Sequence, residues 1–186
     1  MTKKILISFF TVTIALFVAI LFYSTKSVIA YTDGNPPGCT GSPADGQHCA
    51  TNCHNDKSII KVEEGWITST IPQTGYIPDS TYTITCTAKG EATSTKFGFE
   101  ASPQFPTGKT AGKMSVINTT ETKLVGGIKY ITQIKGGVDG QGSRSWSFKW
   151  KAPIKGSGPL TFYAAFIIGG KPETAVTSKL EIKEAQ

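Results

Sequence analysis

The 186-residue chain has a single arginine, Arg144, and only two histidines, His48 and His54. It has no cluster of about five to eight lysines and arginines. Bidentate reading of phosphate or guanine leans on arginine, so the net charge of +6 does not point to nucleic acid. Half of that charge sits in residues 1–30, which contain Lys3, Lys4 and Lys26 and no acid; the remaining 156 residues carry +3. Both histidines stand beside cysteines, which leaves no Ser/His/Asp set to assemble. Adjacent acids such as Glu63 and Glu64 read as a solvated edge rather than a glycosidase pair. No catalytic function is therefore expected. Internal repeats and low-complexity tracts are missing, and after the first 30 residues no window of about 12 shows a helical apolar stripe. An apolar share of 39% and a charged share of 17% exclude wholesale disorder, collagen and coiled coil.

What is present begins with an export signal. Met1-Thr2-Lys3-Lys4 precede an apolar run from Ile5 to Tyr23, and the small residues Val28 and Ala30 follow. This is a secretory pattern with cleavage expected after Ala30. The run of 19 residues is also close to the roughly 20 that span a bilayer. An uncleaved signal anchor at the N-terminus is thus the alternative. Either way residues 31–186 are expected outside the cytoplasm, secreted, periplasmic or on the cell surface, where cysteines are ordinarily oxidised or bonded.

Residues 31–58 form a leader of turn composition, with Asp33-Gly34-Asn35-Pro36-Pro37-Gly38 and Thr40-Gly41-Ser42-Pro43-Ala44-Asp45-Gly46. It holds Cys39, Cys49, Cys53 and both histidines. From residue 59 to 186 short apolar or alternating runs are punctuated by Gly, Pro, Asn, Asp and Ser. Strands are expected at 58–62, 66–71, 81–88, 96–101, 113–118, 129–134, 145–151, 160–168 and 175–182. Period-two alternation is clearest in Thr81–Cys86 and in Ser145–Trp150, where Trp146, Phe148 and Trp150 share a core face. The expected fold is all-β, an antiparallel β-sandwich, with a small barrel as the alternative. The Gly-rich loop 135–143 has no helix behind it and is not a phosphate cradle. Asn118-Thr119-Thr120 is a formal glycosylation sequon.

Cys49-Ala50-Thr51-Asn52-Cys53-His54 is a variant of the c-type haem attachment sequence C-x-x-C-H, with one extra residue between the cysteines. In such a site two thiols bond the haem vinyl groups and the following His, here His54, ligates the iron. Haem c is therefore one expected cofactor. Disulfides are the second reading: four exported cysteines allow three full pairings, and if haem takes Cys49 and Cys53, then Cys39 and Cys86 remain as a pair. A bridge from the leader to Cys86 closes a loop of roughly 40 residues, worth about 3–4 kcal/mol. Zinc held by Cys39, His48, Cys49, Cys53 and His54 is a third reading, disfavoured by the adjacent His–Cys and Cys–His pairs.

The Thr40–Gly46 leader, Cys49…Cys53-His54, Thr81–Thr85, Phe97-Gly98-Phe99-Glu100, Trp146–Pro153 and Thr161–Ala165 together resemble the bacterial reelin-domain-like exported modules known as choice-of-anchor V domains. The resemblance spans nearly all of residues 31–170 and implies an immunoglobulin/reelin-like β-sandwich at the cell surface or in the periplasm. Two departures stand out. Family members usually have C-x-x-C-H, and they often carry a His where this chain has Gln133. If that His is a second iron ligand in the family, this chain has lost it, leaving Met114 or His48 as candidate sixth ligands, or an open site. Two functions follow. One is a haem module for electron transfer or haem-based binding, with a redox partner. The other is a cofactor-free adhesion or interaction module, stapled by disulfides, with a protein or glycan partner.

Overall fold

The structure, a computed structural model, describes residues 32–52, 59–169 and 173–186. A short helix, α1 (Cys49–Asn52), interrupts the leader. Ten strands follow: β1 (Ile59–Val62), β2 (Ile67–Ser69), β3 (Thr81–Lys89), β4 (Phe97–Gln104), β5 (Lys113–Val116), β6 (Thr122–Val125), β7 (Tyr130–Gln133), β8 (Ser143–Lys151), β9 (Leu160–Ile168) and β10 (Thr174–Ile182). They form a six-stranded sheet in the order β1-β10-β9-β4-β7-β6 and a four-stranded sheet in the order β2-β3-β8-β5. The expected sandwich is therefore present. One pairing departs from the antiparallel expectation: β1 runs parallel to β10, with Ile59 opposite Thr174 and Val62 opposite Thr177.

Alternation builds the core. Tyr82, Ile84, Cys86 and Ala88 on β3 face inward, as do Trp146, Phe148 and Trp150 on β8, and both sets are buried. From the other sheet Phe99 and Ala101 on β4 and Phe162, Ala164 and Phe166 on β9 meet them. Phe99 stacks on Trp146 with ring centroids 4.3 Å apart, and Phe162 meets Trp150 edge-on at 5.1 Å. A buried indole N–H needs an acceptor. Trp146 donates to Gly137 O at 2.7 Å and Trp150 to Ala111 O at 2.8 Å. The lone arginine is engaged at the surface, Arg144 Nη2 lying 3.0 Å from Glu121 Oε1.

Strand β9 departs from simple alternation. Ala164, Ala165 and Phe166 are consecutive and all buried. Ala165 and Ile167 point to the outer face, where the leader covers them. The six-stranded sheet is thus dry on its inner side and shielded over part of its outer side, and this second contact creates the candidate site.

Candidate functional site

Three neighbouring strands set the floor of the site. Glu100 on β4 lies opposite Thr132 on β7 and opposite Ala165 on β9, so one row across the outer face reads Thr132, Glu100, Ala165. The small Ala165 leaves room above it for Cys39 and Cys49, which form an apolar cluster there with Ile167 packed alongside. The polar neighbours anchor the chain that brings the cysteines in. Glu100 Oε1 accepts from Gly38 N–H at 2.7 Å and, at 3.4 Å, from Cys39 N–H. Thr132 Oγ1 accepts from Asn35 N–H at 3.2 Å and donates to Phe99 O at 2.7 Å. Asn35 Nδ2 in turn donates to Cys49 Sγ at 3.1 Å. The approach is close enough to demand glycine at position 34: φ is +95° there, and a Cβ would come within 2.7 Å of Thr132 Cγ2.

A second anchor lies along the leader. Asp45 accepts from Tyr130 Oη–H at 2.7 Å through Oδ1, and its Oδ2 takes the Thr40 hydroxyl. The segment 40–48 folds back on itself: Thr40 bridges His48, Gly41 N–H donates to Gln47 O at 2.9 Å, and Gly46 N–H donates to Ser42 O at 3.0 Å. His48 then caps α1. Its Nδ1 accepts from Ala50 N–H at 3.3 Å, and its own N–H donates to Thr51 Oγ1 at 3.0 Å. This reciprocal pattern is close to a capping box.

Burial dominates the electrostatics. Glu100 is fully buried, and its carboxyl is pushed up to about 7 by lost hydration, helped by the charge of Asp45; the Gly38 and Cys39 N–H groups pull the other way. Its Oε2 is buried without a hydrogen-bond partner. The Cys49 thiol is raised by burial first and by Glu100 and Cys39 after it, so it stays protonated. Burial and Asp45 raise the Tyr130 hydroxyl. A protonated, enclosed thiol is neither a nucleophile nor a metal ligand. The arrangement is chemically suited to holding two pieces of chain together.

The sequence-expected residues are dispersed. Cys53 and His54 lie outside the described residues. His48 is partly exposed and occupied in capping α1. Met114 sits on β5 in the sandwich core, with the six-stranded sheet between it and Cys49. Cys86 is in that same core while Cys39 is on the outer face, so the sheet also separates the pair expected to bridge leader and domain. Among the described residues no two cysteines are joined, and no group of three or more His, Cys, Asp or Glu side chains could hold a metal ion. The expected signal, residues 1–30, is likewise outside the described residues, and among these no helix is long and apolar enough to cross a membrane.

A haem can be tested on Cys49. Its sulfur accepts from Asn35 Nδ2 and approaches the Cys39 carbonyl oxygen, and the residue packs in one cluster with Cys39, Ala165 and Ile167. The adjoining pocket between Asn35, Gln133, Gly98 and Ile167 holds about 80 Å³. Pockets that enclose ligand-sized molecules run to about 300–1,000 Å³. The described residues thus leave little space beside Cys49, and Cys53 and His54, which would complete the attachment, lie outside them.

Gln133, in the position where the resembled family often has His, has a different task. Its Oε1 accepts from Phe99 N–H at 2.7 Å. Together with Thr132 Oγ1 on Phe99 O it gives both backbone groups of Phe99 side-chain partners beyond the end of the short β4–β7 ladder. Gln133→Ala is expected to strip a buried N–H of its acceptor and cost about 1–3 kcal/mol in urea unfolding; a loss below about 0.5 kcal/mol would remove this role.

Glu100, Asp45 and Tyr130 were not singled out from the sequence. An acid at an outward position of a strand reads as solvated. The available signal was on β9, whose outward Ala165 and Ile167 called for a cover.

No family model matches the chain, and no curated protein matches it. Solved structures do. The reelin-N domain of F-spondin superposes with a TM-score of 0.53 at 16% identity, covering 69% of this chain and 93% of that one. The human F-spondin reeler domain gives 0.50 at 16% identity, over 68% and 94%. A second fragment of the same human domain gives 0.50 at 15% identity, over 70% and 95%. The likeness shows the fold, a reeler-like β-sandwich.

Proposed function

We propose that this chain is an extracytoplasmic interaction module, non-catalytic and without a cofactor, whose reeler-like sandwich presents loops and edge strands to a protein or glycan partner. The observation that carries the reading is the position of Cys49. Its thiol is spent inside the contact between leader and sheet, and the family's histidine position is filled by a glutamine that completes a β-ladder. The export signal supports the location, since a β-sandwich with a disulfide-capable leader belongs in an oxidising compartment. Sandwich domains commonly bind through loops and strand edges.

The test is the intact mass of the exported chain made in a host that matures c-type cytochromes. The polypeptide mass, less only the hydrogens lost to disulfides, is expected. A gain of about 616 Da, one haem held through thioethers, would contradict the cofactor-free reading. The interaction half is tested on cells that export the chain. Deleting it should lower their attachment to a protein- or glycan-coated surface, and unchanged attachment on all such surfaces argues against it.

A further inference from the structure

We propose that Cys39 and Cys49 form a disulfide that closes the leader hairpin on the outer face of the six-stranded sheet. The pairing follows from register. Gly41 N–H bonded to Gln47 O makes those two a hydrogen-bonded antiparallel pair, and Thr40 and His48 are the next, non-bonded pair. One further step brings Cys39 opposite Cys49, just where the second arm ends and α1 begins. Directly opposed residues at that kind of position stand about 5.5 Å apart between Cα atoms, a separation disulfides favour. Opposed side chains also share a face, and both cysteines are buried in one cluster on Ala165. The Cys49 sulfur is already within 3.8 Å of the Cys39 carbonyl oxygen. Cys86 cannot compete, because it lies in the sandwich core.

The reaction is thiol–disulfide exchange with a dithiol-oxidase disulfide of the extracytoplasmic compartment. One cysteine of the pair attacks the donor disulfide as thiolate, breaking its S–S bond and releasing one donor thiolate. The second cysteine then displaces the other donor sulfur. One S–S bond forms here and one breaks in the donor. This chain gives up two electrons and two protons, and the donor leaves with two thiols. Because the seated Cys49 thiol is held protonated, exchange takes place before the leader docks. The bond then fixes the hairpin so that Gly38 and Cys39 meet Glu100.

The pairing goes beyond the cofactor-free reading and fails separately from it. The exported chain is alkylated unreduced and cut before aspartate, which places Cys39 in fragment 33–44 and Cys49 with Cys53 in 45–55. A linked pair of these fragments is expected, about 2 Da below their sum. The link should persist in Cys53→Ser and vanish in Cys49→Ser. A link that survives Cys49→Ser and is lost in Cys53→Ser overturns the assignment, as do fragments alkylated at both Cys39 and Cys49. A haem-bearing 45–55 fragment overturns this pairing and the cofactor-free reading together.

Discussion

Replacing Trp150 with alanine is expected to cost most of the stability of the domain. The indole is fully buried. It meets Tyr76 edge-on at 5.7 Å and Phe162 edge-on at 5.1 Å, with Tyr82 tilted against it at 6.2 Å. Aromatic-to-alanine changes in cores cost about 3–5 kcal/mol through lost transfer energy and the cavity left behind. Here the Ala111 carbonyl also loses the indole N–H it accepts from, adding about 1 kcal/mol or more. Domains of this size are stable by about 5–15 kcal/mol, so the variant should be largely unfolded at moderate urea. Trp150→Phe keeps most ring contacts and loses the N–H, and its loss should be clearly smaller. Urea unfolding of the three proteins, followed by circular dichroism, checks the order. A Trp150→Ala loss below about 1 kcal/mol would mean that β3, β8 and β9 do not converge on this ring.

That core was legible because it rests on period-two alternation, visible in Ser145–Trp150 and in Thr81–Cys86. All nine expected strands are present, with ends differing by a few residues. β6 was not anticipated: Thr122-Lys123-Leu124-Val125 is a short edge strand without a clean alternating pattern, and its partner β7 defines it through the hairpin at Gly126-Gly127. The parallel pairing of β1 is a tertiary choice that periodicity cannot express. Of the site, the crowding of cysteines in the leader was legible. The seat beneath them was not, since Thr132 lies 32 residues and Ala165 65 residues from Glu100 in sequence, and the three meet only as cross-strand neighbours.

The second large effect is a pH dependence of the leader's attachment. With the leader seated, the Glu100 carboxyl titrates near 7, against an ordinary value of 4.5. Once the leader lifts and water reaches Glu100, it returns toward 4.5. Below 4.5 the group is protonated in both states, so the docked state keeps its full stability. Between 4.5 and about 7 the lifted state loses its proton while the docked state keeps it, so docking weakens as pH rises. Above about 7 both are ionised and the loss is complete, on the order of 3 kcal/mol. Lost hydration sets this sign against the Gly38 and Cys39 N–H groups, which favour the ionised form. Asp45 repels the ionised form, Cys39 and Cys49 offer no positive charge, and Tyr130 is held by Asp45. Hydrogen-exchange protection of the Gly38 and Cys39 amides, corrected for intrinsic exchange, should fall roughly a hundredfold from pH 5 to pH 8. Glu100→Gln keeps an acceptor for Gly38 N–H and removes the titration, so its profile should be flat whatever its absolute level. An equal slope in that variant would assign the dependence to another group.

The leader's contact with Glu100 depends on its lying on the outer face of β4, β7 and β9. The direct measurement is a nuclear Overhauser contact between the Cys49 β protons and the Ala165 methyl group in the exported chain at pH 5, where docking is stronger than at neutral pH. The contact is expected, together with one from Gly38 to the Glu100 side chain. Their absence, with Ala165 and Ile167 open to solvent, would contradict the seat and the use of Cys49 built on it.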